Sequence, residues 1–275
     1  MERDAHSFPW PFILVAYGFS WVFWIPIILI ERGMTLPPGL VDFLNSPLNP
    51  AAFGPTLAAF MFVFVQAGWP GVKKLLRSGV DLRFRKIWLL PILVMPPVIF
   101  IGATLLSVLL GATALDLAIV SDPPMMIISF FVILLTAGPL QEEFGWRGYA
   151  LPRLQERYTA IPSSIILGIV WWLWHLPVVF IPGRFMTGSL WLFGLLGIEI
   201  TLMTIVFTWI HNNTGGSVLA ALLLHTAMNW SIWVLLPTMQ MNATIIGITI
   251  GLLCAVVAVI LRTTDPKTLI HAPVG

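Results

Sequence analysis

The chain has 275 residues, of which 58% are hydrophobic and only 9% charged. A soluble domain carries about a quarter charged residues, so this composition cannot cover a water-facing surface and excludes a soluble enzyme. The net charge of +2 leaves no electrostatic footprint for a nucleic-acid partner. A mean hydropathy of +0.94 points instead to a lipid bilayer as the solvent. The expectation is an all-α, polytopic membrane helix bundle forming a single domain over residues 1–275.

A spanning helix needs about 20 mostly apolar residues. Read in chain order, the predicted spans are 10–31, 51–69, 87–110, 124–145, 162–182, 189–210, 217–236 and 243–261, which makes about eight. The first apolar run is long and ends without an A-x-A cleavage site, so it is expected to be a retained helix rather than a signal peptide. Pro37-Pro38-Gly39, Asp122-Pro123-Pro124 and Asn213-Thr214-Gly215-Gly216 punctuate the connectors. The single cysteine, Cys254, lies in the last apolar run and cannot form an internal disulfide.

Positive charge then orients the bundle. With the N-terminus in the cytoplasm and the spans alternating, Arg3, Lys73, Lys74, Arg77, Arg83, Arg85, Lys86, Arg147, Arg153, Arg157, Arg262 and Lys267 fall inside. Only Arg32 and Arg184 fall outside, a partition of twelve against two. Both termini are therefore expected to be cytoplasmic, in a prokaryotic plasma membrane. The basic stretch from Lys73 to Lys86 reads as a topogenic loop, with anionic head groups as its natural neighbours.

Ionisable groups at membrane depth each cost roughly 2.5–3.5 kcal/mol or more, so each one needs a reason. Those in this sequence are Glu142, Glu143, His175, Glu199 and His225. In Gln141-Glu142-Glu143-Phe144-Gly145-Trp146-Arg147, Glu143 and Arg147 stand at i and i+4 and share a helix face, so they can pair. Glu142 lies about 100° round the helix and faces another partner. In Trp171-Trp172-Leu173-Trp174-His175-Leu176-Pro177, Trp171 is one turn before His175, and Pro177 weakens the helix beyond it. In His225-Thr226-Ala227-Met228-Asn229, the histidine and the amide form a polar stripe that should face the bundle interior. Each segment alone also reads as packing: an interfacial salt bridge, a hydrogen-bonded histidine, an interhelical hydrogen bond. Together they place acid, imidazole and amide on three helices within a core spanning about 124–236. Glu142 near the end of its predicted span and His225 about 12 Å along its own can meet at one level, whereas His175, about 20 Å in, needs a tilted helix or an inward cavity. Glu199, midway along the sixth span, either bonds a neighbouring helix or lines a cavity. His211-Asn212-Asn213 reads as a solvated turn.

The combination Glu142-Glu143-x-x-x-Arg147, Trp171-x-x-x-His175 and His225-x-x-x-Asn229 resembles the CPBP family of intramembrane proteases, which comprises type II CAAX prenyl endopeptidases and bacteriocin-processing enzymes. The first and third motifs match in full; in the second, tryptophan stands where phenylalanine is usual. Asn213-Thr214-Gly215-Gly216-Ser217 also looks like the family. The resemblance implies Glu142 as the base that activates a water, His175 as a group that orients it, and His225 and Asn229 as donors to the oxyanion. Glu143, Arg147 and Trp171 then support the site. It further implies a membrane-associated peptide or a prenylated protein as substrate, the latter losing its last three residues. Cofactor use is expected to be none, with zinc on Glu142, His175 and His225 as the alternative. Two other classes also place Glu and His in a bundle: a secondary transporter, against which the lack of repeated halves counts, and a catalytically inert scaffold or immunity protein on the same fold.

Overall fold

The structure is a computed structural model that describes residues 8–46, 49–112, 122–181, 189–235 and 242–271. Every described regular element is helical. In chain order they are α1 (Trp10–Glu31), α2 (Pro38–Asn45), α3 (Gly54–Ser78), α4 (Leu89–Leu109), α5 (Pro123–Thr136), α6 (Pro139–Gly145), α7 (Leu151–Gln155), α8 (Ala160–Trp174), α9 (Leu190–Asn213), α10 (Val218–Trp230) and α11 (Ala243–Thr263). Among the described residues, six helical segments are long and apolar enough to cross a membrane, and a bent pair makes a seventh. The eighth expected span is the shorter apolar stretch Val218–Val234. Every predicted span thus has its helix, and one more, α2, lies in the connector marked by Pro37-Pro38-Gly39.

The fourth span departs most from expectation. It is not a continuous helix over 124–145 but two helices, α5 and the path from Pro139 to Gln155, bent by 44° at Ala137-Gly138. Gly138 takes φ +104, a left-handed region open to glycine, and Pro139 can start a helix because it lacks the N–H that a first-turn residue leaves unpaired. Backbone groups freed inside a bilayer must find partners within the protein. Gln141 Oε1 accepts the Gly138 N–H at 2.9 Å, Gln141 Nε2 donates to Thr136 O at 3.1 Å, and Asn229 Nδ2 donates to Ala137 O at 2.8 Å. The path continues through a single π turn, Trp146–Ala150, into α7.

The bundle has two distinct ends. At one, the connectors and the C-terminal tail are tied together. Asn212 bonds Gln155 and Thr268 O, Asn213 donates to Leu269 O, Ala160 N–H donates to Lys267 O, and Ser217 donates to Asp81 O. His211 is buried here within α9, so His211-Asn212-Asn213 is a packed helix end that docks the tail, not a solvated turn. At the opposite end, Leu44 of α2 packs with Ile27 and Ile28 of α1 and with Ile181. Between the ends α8 packs on α9, α3 on α1 and α6, and α10 on α4, α5 and α6. Gly145 lets α6 approach α3 closely: a Cβ there would meet the Pro55 backbone at 2.5 Å.

Candidate active site

Glu142 lies one turn beyond the break, on the first turn of α6. The bend therefore sets it partway along the 123–155 path rather than at the end of a straight span. Its Oε2 accepts two indole N–H bonds, from Trp171 at 2.6 Å and from Trp146 at 3.2 Å. Two bulky donors fix that oxygen. Its Oε1 is turned the other way, toward Gly138.

Glu143 faces away from Glu142, as adjacent helical positions must. Its Oε1 accepts from Arg147 Nη1 at 2.7 Å and stands 2.8 Å from His225 Nδ1. Glu143 and Arg147 are both completely buried, so Arg147 belongs to this cluster and not to a cytoplasmic loop. Among the described residues, Glu143 Oε2 and Arg147 Nε and Nη2 have no hydrogen-bond partner. The guanidinium instead lies over two rings, 3.7 Å from the Phe207 centroid and 4.4 Å from that of Trp171. Desolvated cation–π contacts of this kind contribute about 2 kcal/mol or more.

The two histidines are oriented alike. His225 presents Nδ1 to Glu143, and His175 presents Nδ1 to Trp171 O at 2.8 Å. A carboxylate and a carbonyl are acceptors, so Nδ1 carries a proton in both rings. His175 caps α8, with Leu176–Phe180 continuing as a tighter 3-10 turn through Pro177. Packing of Trp171 beside it holds, with ring centroids 6.0 Å apart.

Gly138 shows how closely the polar groups converge. A Cβ placed there would lie 3.0 Å from Glu142 Oε1, 3.2 Å from His225 Nε2 and 3.2 Å from Asn229 Nδ2. The bare glycine keeps this space open. It forms part of a cavity of about 410 Å³ whose walls include Glu142, Trp171, His175, His225 and Asn229. The cavity thus brings His175 to the other two helices without any need for Glu142 at a span end. Glu199 also lines it, 6% exposed; among the described residues its carboxyl has no hydrogen-bond partner, which settles its place as a cavity wall. Leu196, Ile200 and Met203 on α9, and Met228, Ile232 and Trp233 on or after α10, supply apolar surface.

Sequence reading passed over Gly138, Gln141 and Trp146. Gly138-Pro139 is a breaker dipeptide and could have located the bend; nothing in the local pattern marks Trp146 as a donor. For zinc the fit is poor. Among the described residues no three His, Cys, Asp or Glu side chains come together to hold a metal ion, so Glu142, His175 and His225 share a cavity without forming a ligand set.

Residues 124–231 match the family model described as type II CAAX prenyl endopeptidase Rce1-like. The chain is also 38% identical over 104 residues to a protein from Methanococcus maripaludis named CAAX prenyl protease 2. That alignment covers 36% of this chain and 37% of the relative, so the chain spans little more than a third of the length of the curated relative it matches. Over residues 124–231, the segment that carries every side chain from Glu142 to Asn229 described above, the chain is similar to the type II CAAX prenyl endopeptidases (Rce1-like).

Proposed function

We propose that the chain is an intramembrane endopeptidase in which Glu142 serves as general base toward a water bound in the cavity. The observation that carries this reading is the convergence of Glu142 Oε1, His225 Nε2 and Asn229 Nδ2 beside a glycine that leaves room for a reacting group. The two indole bonds pin Oε2 and leave Oε1 for the water. His175 Nε2 accepts a hydrogen bond from the water's second O–H, whose proton stays on oxygen, and aligns the nucleophile.

The water oxygen attacks the scissile carbonyl carbon as its proton passes to Glu142. The carbonyl π electrons move to oxygen, and the oxyanion is met by the second N–H of Asn229, whose first is spent on Ala137 O. His225 Nε2 can donate there only when both ring nitrogens carry protons, because its Nδ1 proton already serves Glu143. Collapse breaks the C–N bond, and Glu142 returns its proton to the leaving amine. General base catalysis supplies about 10²–10⁴-fold, and each oxyanion donor about 10²–10³-fold.

The substrate on this reading is a membrane-associated peptide. The relative's name makes a prenylated CAAX tail one form to test. Detergent-purified protein is expected to cleave an internally quenched prenylated CAAX peptide without added metal and with a chelator present. Glu142→Gln is expected to lower kcat/KM at least ~10²-fold at an unchanged unfolding midpoint. Full cleavage by that variant would sink the mechanism. Activity lost to a chelator and restored by zinc would replace the metal-free proposal.

A further inference from the structure

The bundle holds a second cavity, of about 640 Å³, that shares no wall residue with the active site among the described residues. The active-site cavity draws its outer wall from the α2 end, through Trp24, Ser46, Asn49, Ala51 and Ala52. The second lies at the other end, where Asn213 bonds the docked tail. It is walled by the last turns of α3, by the connector after them, and by Thr214, Gly215, Gly216 and Ser217 ahead of α10. Ser217 donates to Asp81 O at 3.1 Å and ties two of these walls together. Small-ligand sites usually enclose about 300–1,000 Å³, so the space suits a small molecule or a lipid head group.

This is the basic end of the bundle: Lys73, Lys74, Arg77, Arg83, Arg85 and Lys86 are all exposed there. Lys74, Arg77 and Arg83 edge the cavity against one carboxylate, Asp81, which leaves its walls a net charge of +2. Arg83 is committed to Asp81, whose Oδ2 accepts from its Nε at 3.1 Å and its Nη2 at 2.7 Å. Among the described residues, the side chains of Lys74 and Arg77 have no hydrogen-bond or ion-pair partner. They stand at i and i+3 on one helix face, where like charges repel. Span ends converge on the same place. One span ends at Ser78, another begins at Lys86, and Val218 opens the shorter apolar stretch, which sets the cavity at head-group level rather than in the hydrocarbon. α3 leaves its helical path at Gly68 (φ +59). Beyond that kink Val72 and Leu75 are buried while Lys73, Lys74 and Arg77 are exposed, the division expected of a helix lying in the interface. Leu76, Val80 and Leu82, in the same stretch, are exposed as well.

We propose that this cavity binds a phosphate group, carried by the head group of an anionic phospholipid whose acyl chains run along Leu76, Val80 and Leu82. The planar fork of Arg77 can hold two phosphate oxygens at once, and Lys74 supplies a point charge beside it. Gly215 and Gly216, at φ +66 and +80, leave the facing wall without side chains and so leave room for the oxygens. The start of α10, a helix of 13 residues, adds the positive end of its dipole from the same wall. A free phosphate would satisfy the cations and leave the exposed apolar rim unused, which favours the lipid. The occupant bridges α3 to α10, and both of these pack on α6, so it braces the helix that carries Glu142 without touching the active site.

The purified, delipidated chain is titrated in detergent with dioctanoyl phosphatidic acid, with inorganic phosphate and with uncharged dioctanoylglycerol, while binding and the unfolding midpoint are followed. A ligand that binds only the folded state raises the midpoint. The phosphatidic acid is expected to bind saturably and raise it, and dioctanoylglycerol to do neither. Lys74→Gln combined with Arg77→Gln is expected to weaken binding roughly 20-fold, the loss of two cations near a lipid surface. Lys73→Gln combined with Arg85→Gln removes the same charge from exposed positions off the cavity wall and is expected to change binding less than about threefold, because solvent and salt screen such charges. All four side chains are exposed, so both variants are expected to keep the ligand-free midpoint. Equal losses in the two variants would overturn the site in favour of diffuse attraction. Equal binding of dioctanoylglycerol, or no saturable binding of either phosphate compound, would overturn it too. Inorganic phosphate binding as tightly as the phosphatidic acid would uphold the phosphate site and overturn the lipid as its source.

Discussion

Glu143 and Arg147 are both buried without any exposed surface, and each depends on the other. Removing one member of a buried pair leaves an uncompensated charge and costs about 3–5 kcal/mol. Arg147→Met is therefore expected to lower the unfolding midpoint sharply, and Glu143→Gln added to it to restore much of the loss. Independent, additive losses would mean that the pair does not act as a unit. Arg147→Lys is not a conservative change, because a lysine cannot lie flat over Phe207 and Trp171. At Gly138 the conflict is steric: an alanine methyl would sit 3.0 Å from the Glu142 oxygen at a φ of +104. Gly138→Ala is expected to cut kcat by at least ~10²-fold, the effect of misplacing a reacting group by an ångström. Near-normal kcat would show that the three polar groups do not act on a common point. Glu199 is the opposite case, a buried carboxyl with no protein partner among the described residues. Removing so costly a group relieves the fold, so Glu199→Leu is expected to raise the unfolding midpoint while raising KM. A lower midpoint would assign it a structural role.

Among the elements, the fourth span does most to build the site, and it does so by being broken. A straight helix would carry Glu142 toward the end of the span; the bend at Ala137-Gly138 returns it to the bundle interior beside α8 and α10. Gln141 and Asn229 satisfy the backbone there, so Asn229 both braces the bend and faces the cavity. The close contact of α6 with α3 holds the bent segment in place. Gly145→Ala, which would drive a methyl to 2.5 Å from the Pro55 backbone, is expected to cost about 1–3 kcal/mol and to lower activity with it, as unfolding and cleavage assays would read. The positions of the apolar helices, the Glu143–Arg147 pair and the divergence of Glu142 from Glu143 were legible in the sequence, because each follows from span length or helical periodicity. The bend does not follow from span length, which carries the fourth span across it; its one local mark is the breaker pair Gly138-Pro139. α2 was hidden for the converse reason: eight residues cannot cross a bilayer, and its prolines read as a turn. The packing of His211, Asn212 and Asn213 was out of reach because their partners, Gln155 and the tail, lie more than 50 residues away.

Over the whole molecule, the two ends have separate tasks. The α2 end frames the cavity; the basic end is held shut by the tail, whose Leu269 is fully buried and whose carbonyls at Lys267, Thr268 and Leu269 accept from α8 and α9. Burying one leucine contributes about 1.5–3 kcal/mol, and each hydrogen bond about 0.5–1.5 kcal/mol. Cutting the chain after Thr263 is thus expected to lower the unfolding midpoint by several degrees. It removes no side chain that lines the active-site cavity, and the helices that carry Glu142, His175, His225 and Asn229 are braced near the site by α1, α3 and α6. Cleavage by the truncated protein below its new midpoint should therefore keep its kcat within about twofold, since mutational effects at distant, independent sites stay separate. A protein of unchanged stability would show that the tail does not close the basic end. A stable protein with a large fall in kcat would show that the two ends are coupled, and that the shape of the active-site cavity depends on how the opposite end is sealed.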